Sequence, residues 1–334
     1  MKKTTVSVAG CSLADILYAD IDFTAPAFTA CASKKDGDGG LAPGKLVFAD
    51  ALEAFTGKSY PELKRALTGG RAPHAENLGG PAIVGAINAS QILSDLPVTF
   101  KFYGATGNDG TADFLRSIIA KTPLDASNYV TLPGASPSTD VLSDPRAHDG
   151  KGERTFINTI GACYTYTPEQ LPDAFYEADI IWFGATALVP SFHEKLSVLL
   201  KRSHEAGKIN VVSTVFDFIN EMRNPDKPWP MGDGTESYKY IDLLIVDWEE
   251  AVRLSGKSDL TEISGFLSSS GVSSFVITHG AKDFYVWSDG RVFRKTPLTP
   301  YPVSALVDED LAADPSLRGD TTGCGDNFAG GFVS

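Results

Sequence analysis

Near the C-terminus the chain reads Gly319-Asp320-Thr321-Thr322-Gly323-Cys324-Gly325-Asp326-Asn327-Phe328-Ala329-Gly330-Gly331. Two glycines flank one small residue, an aspartate follows, and small and apolar residues compatible with a helix begin at once. A glycine turn running into a helix presents unpaired N–H groups, which favour an anion by hydrogen bonding and by the helix dipole. Asp326 would stand beside that anion, where a carboxylate can take the proton of a hydroxyl attacking a phosphoryl group. An ordinary capped helix start uses the same residue types, so the context has to decide.

Upstream, short apolar runs alternate with helical patterns. Val6–Gly10, Thr99–Tyr103, Arg154–Asn158, Ala178–Gly184, Lys208–Thr214, Leu243–Val246 and Phe275–Thr278 read as strands. Helical spacing marks Tyr60–Leu67, Ala82–Leu93, Thr111–Ile119, Ser191–Glu205 and Glu250–Leu254. Such alternation predicts an α/β fold: a doubly wound, mostly parallel sheet with helices on both faces, forming one domain over residues 1–334. Lys34–Gly44 is turn-rich, and Thr299–Leu317, rich in Pro, Asp and Ala, reads as an acidic surface loop.

The composition narrows the partners. The 334 residues carry 29 Lys and Arg against 42 Asp and Glu, a net charge of −13, which repels a nucleic-acid backbone. A phosphate site needs only local N–H groups and a metal ion, so ATP remains compatible with this charge. The cysteines Cys11, Cys31, Cys163 and Cys324 form no C-x-x-C pair and have no zinc-ligand spacing, which reads as reduced thiols in a cytoplasmic protein. The apolar stretch before Cys11 is shorter than the roughly 7 to 15 residues of a signal segment. No run approaches the roughly 18 apolar residues of a membrane helix, so no membrane partner is expected.

The C-terminal string closely resembles the D-T-x-G-A-G-D-x-F signature of the ribokinase-like (PfkB) carbohydrate kinase family, with Cys324 in place of the usual Ala. Other segments agree. Val8–Asp15 looks like the family's opening strand with its substrate-binding Asp15, and Gly79-Gly80 like its sugar-contacting glycine pair. Gly104–Gly110 resembles the G-x-x-G-x-D-x-x-G segment, and Gly152–Ile157 with Gly161-Ala162 the strand returning from the lid. Val246–Ala251 lies at the N-x-x-E position, and Ile277–Lys282 at the nucleotide-side strand and turn.

The resemblance implies an ATP-dependent kinase acting on a hydroxyl of a small sugar-like substrate. It places Asp326 as base beside an anion hole at Gly323, Cys324 and Gly325, Asp15, Gly79 and Gly80 at the substrate, Thr278, Gly280 and Asp247 at the nucleotide, and Glu250 near Mg2+, directly or through water. It also implies a small β-rich lid, drawn from about residues 16–50 and 98–160, and leaves open a monovalent cation and a homodimer paired through the lid. Each residue has a plainer alternative: Asp15 as a turn cap, Gly79 and Gly80 as a helix entry, Glu250 as a dipole partner, Cys324 as a space filler. Asp109 reads as a helix cap outside the site, and His74 and His279 as surface or packing residues.

The sequence also departs from the pattern. Val84 stands where the family commonly has a sugar-contacting Asn, Asp247 replaces the Asn of N-x-x-E, and Asp308–Leu317 inserts before the signature. The chain stops at Ser334 within the helix that follows Asp326, which reads as a truncated end. A nucleoside kinase is the neighbouring alternative, and a pseudokinase or sugar-sensing binding protein the alternative of another class. A Rossmann dehydrogenase is disfavoured, because no G-x-G-x-x-G follows the first strand.

Overall fold

The computed structural model describes residues 3–35, 37–150, 152–315 and 322–334. Gly319, Asp320 and Thr321 of the signature, and the end of the 308–317 insertion, lie outside the described residues. Along the chain the strands are β1 (Thr4–Gly10), β2 (Leu13–Tyr18), β3 (Leu46–Phe48), β4 (Ala75–Gly79), β5 (Val98–Thr106), β6 (Asp125–Thr131) and β7 (Ser138–Asp144). They continue as β8 (Glu153–Thr159), β9 (Ile180–Gly184), β10 (Ile209–Ser213), β11 (Leu243–Asp247), β12 (Ser274–Thr278), β13 (Phe284–Ser288) and β14 (Thr296–Tyr301).

Nine strands form one large sheet in the order β14-β13-β12-β11-β10-β9-β1-β5-β6. It is parallel from β6 to β12, and β13 and β14 add an antiparallel edge. Alternate side chains enter two separate cores. Val6, Val8, Leu243, Ile245 and Val276 pack with Ala82, Ile83, Ala86 and Ala89 on one face. Ala9, Leu244, Val246, Phe275 and Ile277 pack with Leu196, Leu200, Ala251 and Leu267 on the other. Because both faces are covered, these strands are apolar throughout rather than alternating, as expected of a parallel sheet. From β1 the chain passes first to β5 and β6, then returns to the opposite side of β1 at β9. This reversal is a topological switch point, where open α/β sheets bind ligands beyond the strand C-termini.

The second sheet has the order β3-β8-β7-β2-β4. Ala14, Ile16, Tyr18, Val47, Leu142 and Ile157 turn one of its faces onto Leu52, Leu63 and Leu67 of the helices Ala49–Thr56 and Tyr60–Thr68. Asp140 is buried on that side and is satisfied by the Tyr60 hydroxyl and by the Lys64 ammonium at 2.8 Å.

Two expectations are corrected here. Residues 98–131, counted with the lid from sequence, supply β5 and β6 of the large sheet, while the small sheet begins at Leu13 and takes in Ala75–Gly79. No local pattern tells which sheet a strand joins, and only strand pairing assigns it. Nor is Thr299–Leu317 a plain loop, for it contains the second half of β14 and the helix Leu306–Ala313. Pro297 and Pro300 are tolerated because β14 is an edge strand, and Leu306 and Val307 are exposed, so the helix leaves no amphipathic signal.

Candidate active site

The helix Cys324–Val333 starts from Gly323, whose φ of 82° lies in the left-handed region that suits glycine. A Cβ built on Gly325 meets no heavy atom within 4 Å, so open space lies over the first turn. Asn327 Nδ2 donates to the Gly323 carbonyl at 2.9 Å, and Asn327 Oδ1 accepts from Asn88 Nδ2 at 2.9 Å. These bonds tie the helix start to the helix Pro81–Ile92. The two helices also touch backbone to backbone, since a Cβ on Gly330 would stand 2.5 Å from the Gly85 carbonyl oxygen.

Asp326 is held in that first turn and is half-buried. Burial disfavours its charge and pushes its pKa up to about 6. Its charge also acts on the Cys11 thiol, which is raised well above its ordinary value first by burial, then by Cys163, and further by Asp326. Asp326 therefore lies near the C-terminal end of β1. There the strand ends are packed tightly: a Cβ on Gly10 would stand 2.1 Å from the Gly184 carbonyl oxygen and 2.5 Å from the Ala82 Cβ. Cys324, expected as a small filler, is exposed, and it can offer the site its main-chain N–H.

The small sheet brings Asp15 to the same edge. A Cβ on Gly79 would stand 2.2 Å from Asp15 Oδ2, so only glycine leaves that carboxylate its place. Gly80 has a φ of 99°, and a Cβ there would meet the Ser12 Cα at 2.9 Å. Both glycines thus serve helix entry and close approach together. In the strand register Asn77, Asp15, Thr139 and Asn158 follow one another across β4, β2, β7 and β8, on the face opposite the covering helices. The sequence reading missed Thr139, Asn158 and Asn77; nothing local marks them, and only the register aligns them with Asp15.

On the other side of the switch point, Asp247 ends β11 and caps the helix Trp248–Ser255. Asp247 Oδ1 accepts from the Glu250 N–H at 3.0 Å, and Glu250 Oε2 accepts from the Asp247 N–H at 3.3 Å. Glu250 is thus the dipole partner that the plainer alternative describes, but more holds it. Thr214 Oγ1, from the loop after β10, donates to the same Oε2 at 2.5 Å. Burial, with the Asp247 and Asp326 charges, pushes the Glu250 carboxyl up to about 7 against the lowering effect of Thr214. Asp326 and Glu250 hence share one electrostatic neighbourhood. A cavity of about 20 Å3 lies behind Thr214 and Glu250, lined also by Thr186, His193 and Asp217.

Thr278 pairs with Asp247 in the parallel register, which sets the turn to Gly280 (φ 58°) beside that helix start. His279 stacks on Trp248 at 4.6 Å, a packing role as expected. His74 lines a depression of about 320 Å3 on the small sheet with Leu17, Val141 and Arg154. Asp109 is a helix cap, accepting from the Ala112 N–H at 2.9 Å and from Ser136 Oγ at 2.6 Å.

The family model described as pfkB family carbohydrate kinase matches residues 77–334. The chain belongs to this family. Adenosine kinase 1 of Arabidopsis thaliana is 24% identical over 277 residues, covering 78% of this chain and 73% of that protein. Ribokinase of Staphylococcus aureus is 24% identical over 264 residues, covering 77% and 73%. Among solved structures, adenosine kinase of Anopheles gambiae in complex with P1,P4-di(adenosine-5) tetraphosphate superposes with a TM-score of 0.68 at 18% identity, over 100% of this chain and 89% of that one. PfkB kinases are sugar or nucleoside phosphotransferases, and this chain is a kinase of that class. Among the described residues no helix is long and apolar enough to cross a membrane.

Proposed function

We propose that this PfkB kinase transfers the γ-phosphoryl group of ATP to a hydroxyl of a sugar or of a nucleoside's sugar, with Asp326 as the base. The observation that carries the reading is the half-buried Asp326 in the first turn of a helix whose N-terminus opens onto free space at Gly325. The acceptor hydroxyl gives its proton to an Asp326 carboxylate oxygen as its own oxygen bonds to the γ-phosphorus. The bond from that phosphorus to the bridging oxygen breaks, and ADP leaves with the electron pair. Main-chain N–H groups of residues 323–325 face the phosphoryl oxygens, where a fixed donor stabilises charge best. Asp15 accepts hydrogen bonds from acceptor hydroxyls, and Thr278, Gly280 and Asp247 lie on the nucleotide side.

The carboxylates of Asp247 and Glu250 are two hard oxygen donors at the start of one helix. That suits Mg2+, which keeps several waters and takes few protein ligands. Glu250 would hold it through water. The chemistry the ion would supply there is neutralisation of phosphate charge. The small sheet would act as the lid that excludes water from the reaction.

A coupled ADP-release assay with Mg2+ and ATP against ketoses, aldoses, keto-deoxy sugar acids and nucleosides tests this reading. Release with one acceptor that is lost in Asp326→Asn supports it. Equal behaviour of the two proteins, with acceptor binding still visible by thermal shift, would assign the chain to the pseudokinases.

A further inference from the structure

Among the buried polar groups of the small sheet, the amide of Asn158 is only half served. Asn158 is 3% exposed, and its Nδ2 donates to Thr139 Oγ1 at 2.9 Å. Its Oδ1 is buried and has no hydrogen-bond partner among the described residues. A buried acceptor left open is costly, and native structures rarely tolerate one without a water or a ligand to serve it. Turning the amide over leaves a donor open instead, so one polar end stays free in either orientation.

The place of this group gives the open end a meaning. Asp15 pairs with Thr139 in the parallel register of β2 and β7, and Thr139 with Asn158 in the antiparallel register of β7 and β8. All three share the face opposite the helices Ala49–Thr56 and Tyr60–Thr68, because Ala14, Ile16, Leu142 and Ile157 take the helix side. Adjacent strands lie just under 5 Å apart, so Asp15 and Asn158 are separated by about 10 Å of backbone. A sugar ring bonded to Asp15 spans that gap once the side chains reach inward. Two residues further along the strands the same face turns apolar, with Leu17, Val141, Phe156 and Leu46 in register. The polar row is therefore bounded on that side.

We infer that Asn158, oriented by Thr139, binds a hydroxyl of the phosphoryl acceptor, so that the part lying across the small sheet is a polyhydroxylated sugar unit and not an aromatic base. This rests on the reading above that the acceptor binds against Asp15. The sugar unit is either a free pentose or hexose, or the ribosyl part of a nucleoside. A site built to bond a hydroxyl discriminates strongly against its absence, because the protein group is then left unpaired.

The test compares wild type, Asn158→Leu, Thr139→Val and Asp326→Asn with D-ribose, D-fructose and adenosine at saturating Mg2+ and ATP, and with deoxy analogues of whichever acceptor is phosphorylated. Thermal shift by each acceptor without ATP gives a second readout. Asn158→Leu is expected to raise the acceptor KM by about 10- to 100-fold with kcat changed less than about threefold, and to lose the thermal shift that Asp326→Asn retains. One deoxy analogue should bind wild type and Asn158→Leu alike. Thr139→Val should shift KM the same way by a smaller factor, and it carries the test if Asn158→Leu does not fold. An unchanged KM in folded Asn158→Leu, with turnover still lost in Asp326→Asn, overturns this inference alone and assigns the open amide to a buried water. No ADP release and no thermal shift with any acceptor overturns the inference together with the kinase reading.

Discussion

A Cβ on Gly85 would stand 3.3 Å from the main-chain oxygen of Asp326 and 2.8 Å from the Trp182 ring. The glycine in the helix Pro81–Ile92 thus sets how closely the helix that carries Asp326 can approach. Gly85→Ala should destabilise the protein by about 1 to 3 kcal/mol, as overpacking does. It should also lower kcat by more than it raises either KM, because the carboxylate is displaced while both binding surfaces survive. Urea denaturation and steady-state kinetics on one preparation check both effects.

With Asp326 pushed up to about 6, the base is protonated below that pH. The kcat/KM profile, which reports the free enzyme, should fall tenfold per unit on the acid side of about pH 6 and level off above it. The stability effect has the opposite sign. The folded state binds this proton more tightly than the unfolded chain, whose carboxyl keeps its ordinary value, so ionised Asp326 costs stability at neutral pH, and that cost is relieved as pH falls from about 6 towards 4. Asp326→Asn should therefore melt higher than wild type at pH 8, with the difference gone by pH 4. Equal melting temperatures at pH 8 would place Asp326 in a solvated setting.

Thr214 Oγ1 and Glu250 Oε2 lie 2.5 Å apart. Thr214→Val keeps the shape and removes the donor, leaving Glu250 oriented by the Asp247 N–H alone. Expected is a rise of about 3- to 10-fold in the KM for Mg2+ with ATP, on the scale of an ordinary lost hydrogen bond, with the acceptor KM unchanged. Thr214→Ser should restore the wild-type value, and an acceptor KM that moved instead would sever Thr214 from the nucleotide side.

Pairing through the small sheet, an option that the family resemblance leaves open, would use a face or an edge. One face is covered by Leu52, Leu63 and Leu67 from the chain's own helices, and the other carries Asp15. A monomer is expected by size-exclusion chromatography with light scattering, at about 36 kDa for the 35.6 kDa chain. A dimer abolished by surface substitutions in β3 or β4 would show that a sheet edge, not a face, does the pairing.

Asp140, satisfied by Tyr60 and Lys64 on the helix-covered side, provides a control away from the chemistry. Asp140→Ala leaves the Lys64 charge half-buried without its partner, and should cost about 3 to 5 kcal/mol at 25 °C while leaving both KM values unchanged. Chemical denaturation reads the first effect and kinetics at low temperature the second.

The large sheet was legible because its strands are buried on both faces, so Val6–Gly10, Leu243–Val246 and Phe275–Thr278 stand out as apolar runs. The helix start at Gly323 and the cap at Asp109 were legible for a different reason, since both depend on neighbours within a few residues. What escaped depends on long-range pairing. The strands β5 and β6 of residues 98–131 and the strands β7 and β8 of residues 138–159 belong to different sheets, and no local pattern says which joins which. Thr214 meets Glu250 across 36 positions, and Asn158 reaches Thr139 only through the β7–β8 register. The helix Leu306–Ala313 escaped because it exposes its apolar residues.

Of the four cysteines, Cys11, Cys31 and Cys163 are buried and Cys324 alone is exposed, at the first position of the helix that carries Asp326. A thiol-directed fluorophore or electrophile should therefore modify a single atom of the native protein, at the rim of the open space over Gly325. The same thiol offers an attachment point for covalent inhibitors, selective over relatives that keep alanine there, and for a spectroscopic reporter of nucleotide occupancy.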